Sequence, residues 1–120
     1  AKKALKNASL KVKKTKGIIL QTDLGSQYTS NIFEEYLAEL KIRHSYSRKG
    51  CPYDNSCIES FHSILKKEEV NLKKYKDFKE AYNAIFEFIE AWYNRERIHS
   101  CLNYKTPDEV HSEDEESFAA

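Results

Sequence analysis

Two short stretches, Gly17–Thr22 and Ile42–Tyr46, are all that this chain of 120 residues offers as β-strand. The first is an apolar run after a glycine, with β-branched residues, and the second alternates Ile, Arg, His, Ser and Tyr. Helical spacing fills most of the rest. A helix is predicted over about 30–41, where Ile32, Phe33, Tyr36, Leu37 and Leu40 recur at helical intervals behind the capping candidates Thr29, Ser30 and Asn31. Another is predicted over about 55–69. A longer one is predicted over about 77–94, opened by Asp77-x-x-Glu80 and buried along Phe78, Ala81, Tyr82, Ile85, Ile89 and Trp92. Thr106-Pro107 reads as one more helix start. The class is therefore α/β with a sheet too small to be self-sufficient.

Charge is arranged in blocks that the net charge of +1 conceals. Seven lysines and no acid occupy residues 1–16, which read as a basic helix or arm. Residues 41–76 carry nine basic residues against four acids, and six acids follow Pro107. A basic face attracts phosphate, whereas an acidic end reads as a solvated tail. Residues 111–120 are taken as that tail. No apolar run reaches the length of a membrane helix, and the basic start is not a secretory leader. These features predict a soluble intracellular protein. Cys51, Cys57 and Cys101 form an odd set and read as free thiols. Their spacing with His99 does not match the usual paired zinc ligands.

The first acid in the chain is Asp23, inside QTDLGSQYTS directly after the first strand. Alone it reads as a turn residue, because Asp readily bonds its own backbone. Glu59 lies in the first turn of the 55–69 helix, on a polar face with Asn55, His62, Ser63, Lys66 and Lys67, opposite Cys57, Ile58, Phe61, Ile64 and Leu65. Alone it reads as part of a capping box with Ser56. Together the two acids admit another reading. A hard divalent cation takes one or two carboxylates plus phosphate and water, and such cations cleave phosphodiesters. The interval between the two acids is 35 residues.

That interval and its flanks resemble the catalytic core of insertion-sequence transposases in the retroviral-integrase superfamily. The matching stretches are TDLGSQYTS (22–30), SYSRKGCPYDNSCIESFHSILKKE (45–68) and WYNRERIHSCLNYKTPDEV (92–110), within a resemblance running from about Gly17 to Val110. It implies a ribonuclease H-like fold, here truncated to two strands plus helices, and an Asp-Asp-Glu metal site for Mg²⁺ or Mn²⁺. Asp23 matches the second Asp and Glu59 the Glu, as catalytic metal ligands. Asp54 and Asn55 match the Asp-Asn that positions the helix and the DNA end. Asn94, Arg97 and His99 match the polar signature after the long helix. Arg48, Lys49, Asn55, Lys66 and Lys67 would contact DNA. Gln21-Thr22, Cys51 and His62 depart from the residues usual at their positions.

The family's first Asp belongs to an upstream strand hairpin, and residues 1–22 contain no acid. Residues 17–110 are therefore expected to be the C-terminal part of the core, inactive in DNA cleavage alone and weak in metal binding. The resemblance implies element ends and target DNA as partners, two-metal cleavage and 3′-hydroxyl joining in the whole enzyme, and a bacterial, nucleoid-associated setting. An exposed sheet edge predicts a dimer, including a swapped one. The competing reading is a non-catalytic DNA-binding or helical interaction module.

Overall fold

The computed structural model describes residues 1–119. The chain forms two compact units, Ala1–Phe61 and His62–Ala120. In the first, α1 (Lys2–Ser9) precedes β1 (Ile19–Thr22), α2 (Asn31–Glu39) and β2 (Arg43–Tyr46). Helix α3 (Ser56–Glu68) follows after a 3₁₀ turn, Pro52–Asn55, and from His62 onward it belongs to the second unit. The second unit holds α4 (Phe78–Glu87), a π-helical continuation over Phe88–Tyr93, and α5 (Pro107–Ala119).

Strands β1 and β2 pair in parallel, from Ile19↔Arg43 to Thr22↔Tyr46. Parallel pairing needs a crossover, and α2 supplies it. Ser30 caps α2 by accepting the Phe33 N–H. The exit from α2 is sharper. Lys41 sits at φ 56°, the Ile42 N–H donates to the Leu37 carbonyl at 3.0 Å, and the Lys41 N–H donates to the Ala38 carbonyl at 3.0 Å. This pair of bonds closes the helix and turns the chain directly into β2. The turn also brings Leu37 and Ile42 into one core with Phe33, against which Leu5, Leu20, Tyr28 and Leu40 pack.

Both strands and both flanking helices fall where sequence spacing puts them, and the ends of α2 agree to within two residues. The acidic stretch is different: it continues helix α5 through Ala119. The predicted buried stripe of α4 is also different. Phe78 is 84% exposed, Tyr82 60% and Trp92 45%, while Phe88, absent from that stripe, is buried. Helical periodicity identifies an apolar face, but burial needs an element to cover it, and Phe78 and Tyr82 stay largely exposed, with ring contacts only to each other and to Phe86 among the described ring pairs. Likewise Cys57 and Ile58 of α3 are exposed. Among the described residues no helix is long and apolar enough to cross a membrane.

Candidate active site

Ligands of open α/β sheets gather beyond the carboxyl ends of the strands. Here both β1 and β2 end at the same edge, because they run parallel. The backbone stays zipped one step further, with the Ser47 N–H donating to the Thr22 carbonyl at 2.8 Å. The Gln21 side-chain amide also donates to the Ser47 hydroxyl at 3.0 Å. Asp23 leaves this edge from β1, and the loop that leads to Glu59 leaves it from β2.

Asp23 is exposed, and its Oδ1 accepts the Gly25 N–H at 2.8 Å. The turn reading of this residue is thus correct as local geometry, and the turn fixes where the carboxylate points. A Cβ at Gly25 would stand 2.9 Å from Asp23 Oδ1 and 3.4 Å from the Tyr28 ring, so the carboxylate keeps this position only beside glycine. Tyr28 and Thr29 then donate to the Gly25 carbonyl and carry the chain into α2.

After β2, Asp54 gathers the 48–54 loop. Its Oδ2 accepts the Arg48 backbone N–H at 2.9 Å and Nε–H at 3.0 Å, and its Oδ1 accepts from Nη2 at 3.2 Å. The guanidinium, then the backbone N–H, hold Asp54 below the ordinary carboxylate range. Arg48 is therefore already engaged within the protein, although its side chain remains 77% exposed. The 3₁₀ turn follows, and the Ser56 N–H donates to the Tyr53 carbonyl. This corrects the capping-box reading of Ser56-x-x-Glu59. Ser56 lies inside the helical run, and its N–H is already satisfied when Glu59 would reach back for it. Glu59 is exposed and lines an open groove with Ser47, Arg48, Gly50, Cys51, Pro52 and Asn55. Lys49 on the loop and Lys66 and Lys67 on the last turn of α3 are exposed.

Asp23 and Glu59 thus belong to the same unit. Among the described residues, no group of three or more His, Cys, Asp or Glu is placed to hold a metal ion. Cys51, Cys57 and Cys101 are free thiols.

The polar signature of the second unit has a different job. The π-helical segment ends with the Asn94 N–H donating to Ile89 and the Arg97 N–H to Trp92, both across five residues. This wider turn delivers Arg97 to Glu68. Arg97 Nε–H donates to Oε2 at 3.0 Å and Nη2–H to Oε1 at 2.9 Å. His99 Nδ1 lies 3.2 Å from Arg97 Nη1, and the His99 ring meets Tyr93 edge-on at 5.0 Å. Burial, then the Arg97 charge, push the His99 imidazole down, against the pull of Glu68. Its Nε2 is buried without a protein partner. Asn94 contributes its carbonyl, which accepts the Asp108 N–H at the start of α5. These three supporting residues therefore tie together the 94–108 connection. Glu68, the acid that receives Arg97, closes the 45–68 stretch, but the sequence reading gives it no role of its own.

Residues 40–107 match the family described as the integrase core domain. A transposase for insertion sequence element IS904 of Lactococcus lactis is 46% identical over 91 residues, which are 76% of this chain and 36% of that protein. The transposase InsF for insertion sequence IS3A of Escherichia coli is 36% identical over 106 residues, 88% of this chain and 37% of that protein. A Lactococcus lactis protein named as an ATP-dependent protease is 37% identical over 109 residues, 90% of this chain and 35% of that protein. These matches each cover most of the chain. The chain spans about a third of the length of the curated relatives it matches. It belongs to the integrase core domain family and is related to the insertion-sequence transposases.

Proposed function

We propose that the chain is the part of a DNA transposase core that supplies two carboxylates, Asp23 and Glu59, to a divalent-metal site. The observation that carries this reading is the shared carboxyl edge of β1 and β2, from which Asp23 and the loop toward Glu59 both emerge. The finer fold assignment, a ribonuclease H-like core of which residues 17–110 are the C-terminal part, belongs to the same proposal.

The donor chemistry fits a hard cation. Both side chains are exposed oxygen donors, and Mg²⁺ is commonly held by one or two carboxylates completed by phosphate and water. When bound, such an ion supplies Lewis acidity and a water activated for attack on a phosphodiester. The chain's own residues do the positioning. The Gly25 N–H orients the Asp23 carboxylate, and Asp54 holds the loop that precedes α3. Arg48, Lys49, Lys66 and Lys67 hold DNA phosphates, with Asn55 beside the groove, which sets register without reading sequence. The DNA partner is the element ends and the target. Among the described residues no third acid joins these two carboxylates, and we expect weak metal binding and no detectable DNA cleavage by the chain alone.

The test is Mn²⁺ titration of the isotope-labelled chain. Selective paramagnetic broadening at Asp23 and Glu59, abolished by Asp23→Asn and by Glu59→Gln, is the expected result. Uniform broadening that ignores both substitutions overturns the reading. The second reading, a DNA-binding module without catalysis, draws on the lack of a three-acid group among the described residues. It predicts DNA affinity indifferent to both substitutions and to divalent cations.

A further inference from the structure

We propose that His44 is a positioning residue for Asp23, acting through the hydroxyl of Thr22. His44 of β2 pairs with Leu20 of β1 and reaches across to the Thr22 side chain, and its own side chain is only 5% exposed. Its Nδ1 is 2.5 Å from Glu34 Oε1 on α2. Its Nε2 is 2.8 Å from Thr22 Oγ1. Thr22 Oγ1 is in turn 2.9 Å from the backbone carbonyl of Asp23. Three residues, one each on α2, β2 and β1, therefore form one chain of polar atoms that ends on the peptide of Asp23, just past β1. Thr22 is 7% exposed, so little water competes for these bonds.

Proton counting gives this chain two states. The Glu34 carboxylate only accepts, so His44 Nδ1 carries a proton in either state. Thr22 has one hydroxyl proton and two acceptors within reach. With His44 doubly protonated, Nε2–H donates to Thr22 Oγ1, and the Thr22 proton goes to the Asp23 carbonyl. With Nε2 bare, the Thr22 proton turns to Nε2, and the Asp23 carbonyl loses its donor. The proton on His44 thus decides whether the peptide that carries Asp23 is tied to the sheet. The other titratable groups facing His44 are Glu34 from α2 and Tyr46 from β2, the latter with its ring 4.0 Å away. Tyr46, bonded to Glu34 and pushed up to about 12 by that bond, stays protonated throughout. Phe33 closes the remaining side with an edge contact.

The consequence for metal binding rests on Asp23 being a metal-holding carboxylate, whereas the hydrogen-bond link does not. The experiment separates them. The ring nitrogens of His44 and the amide nitrogen of Leu24, which shares a peptide with the Asp23 carbonyl, are followed by NMR across pH in the 120-residue chain. In the wild type the two reporters shift with one midpoint. In Thr22→Val, which keeps the shape and removes the hydroxyl, His44 still titrates and Leu24 stops following it. Thr22→Ser restores the coupling. In Glu34→Gln, whatever midpoint His44 adopts, Leu24 adopts the same one. A Leu24 signal that ignores His44 in the wild type, or that follows it equally in Thr22→Val, overturns the proposal. Mn²⁺ broadening at Asp23 is read on the same samples. It weakens severalfold in Thr22→Val and recovers in Thr22→Ser. Intact coupling without any Mn²⁺ effect at Asp23 sustains the link and refutes the metal reading alone.

Discussion

Arg97 lays its guanidinium along the Glu68 carboxylate in two parallel N–H···O bonds of 3.0 and 2.9 Å. Paired forks of this kind are stronger and more directional than single bonds. Glu68 is 36% and Arg97 24% exposed at the side chain, so solvent screens part of the attraction. We expect Arg97→Lys, which keeps the charge and loses the fork, to destabilise the second unit by roughly 1 kcal/mol, or a Tm lower by about 4 °C. Arg97 bonding, its leading cause, holds Glu68 below the ordinary range. A depressed carboxylate stabilises the fold above its unfolded pKa and loses that contribution as pH falls through the folded one. The advantage of wild type over Glu68→Gln should therefore shrink on acidification below the ordinary glutamate range. A difference that is flat with pH in thermal melts would refute this.

Gly25 offers a test of how Asp23 is aimed. An alanine there would bring its Cβ within 2.9 Å of Asp23 Oδ1, and the backbone at this position is not in the left-handed region. We expect Gly25→Ala to fold with a Tm near that of wild type while Mn²⁺ broadening at Asp23 falls severalfold. Unchanged broadening would show that the turn does not set the carboxylate.

Lys41 holds the left-handed position at the end of α2 with φ 56°. A non-glycine residue there costs about 1 kcal/mol. Lys41→Gly should raise the denaturation midpoint by up to about that amount, since its side chain is exposed and the two closing bonds are backbone bonds. A drop in stability would mean that the lysine side chain supplies something the backbone geometry does not.

Leu37 and Phe78 should respond in opposite ways to truncation. Leu37 is 1% exposed and Phe78 84%. Leu37→Ala is expected to cost about 2–5 kcal/mol, and Phe78→Ala about 0.5 kcal/mol or less. Urea titration measures both. A comparable loss at Phe78 would place that ring in a packed environment.

The basic residues carry a prediction about salt. Removing one phosphate contact lowers the slope of log K against log salt by about 1. Lys66→Ala and Lys67→Ala should each do so while weakening all DNA sequences alike. Arg48→Ala should do more than lower the slope, because it also releases Asp54 and the loop that leads into α3. Fluorescence anisotropy across a salt series distinguishes the two behaviours.

Much of this protein is legible in its sequence. Apolar spacing located both strands and helices α2, α3 and α4. Asp77 caps its helix as read, accepting the Glu80 N–H, and Thr106 caps the helix that starts at Pro107, accepting the Glu109 N–H. These features rest on contacts between residues three or four apart, so the local sequence contains both partners. Tertiary structure decided the rest. The same capping pattern at Ser56-x-x-Glu59 does not form, because a preceding 3₁₀ turn satisfies the Ser56 N–H first. The apolar face of α4 was readable, but its exposure was not, since periodicity does not say what lies opposite. The Arg97–Glu68 fork and the Glu34–His44–Thr22 chain join residues 29, 10 and 22 positions apart. No short-range pattern encodes such pairs; they exist only because a parallel sheet and a π-helical turn bring distant side chains to one place.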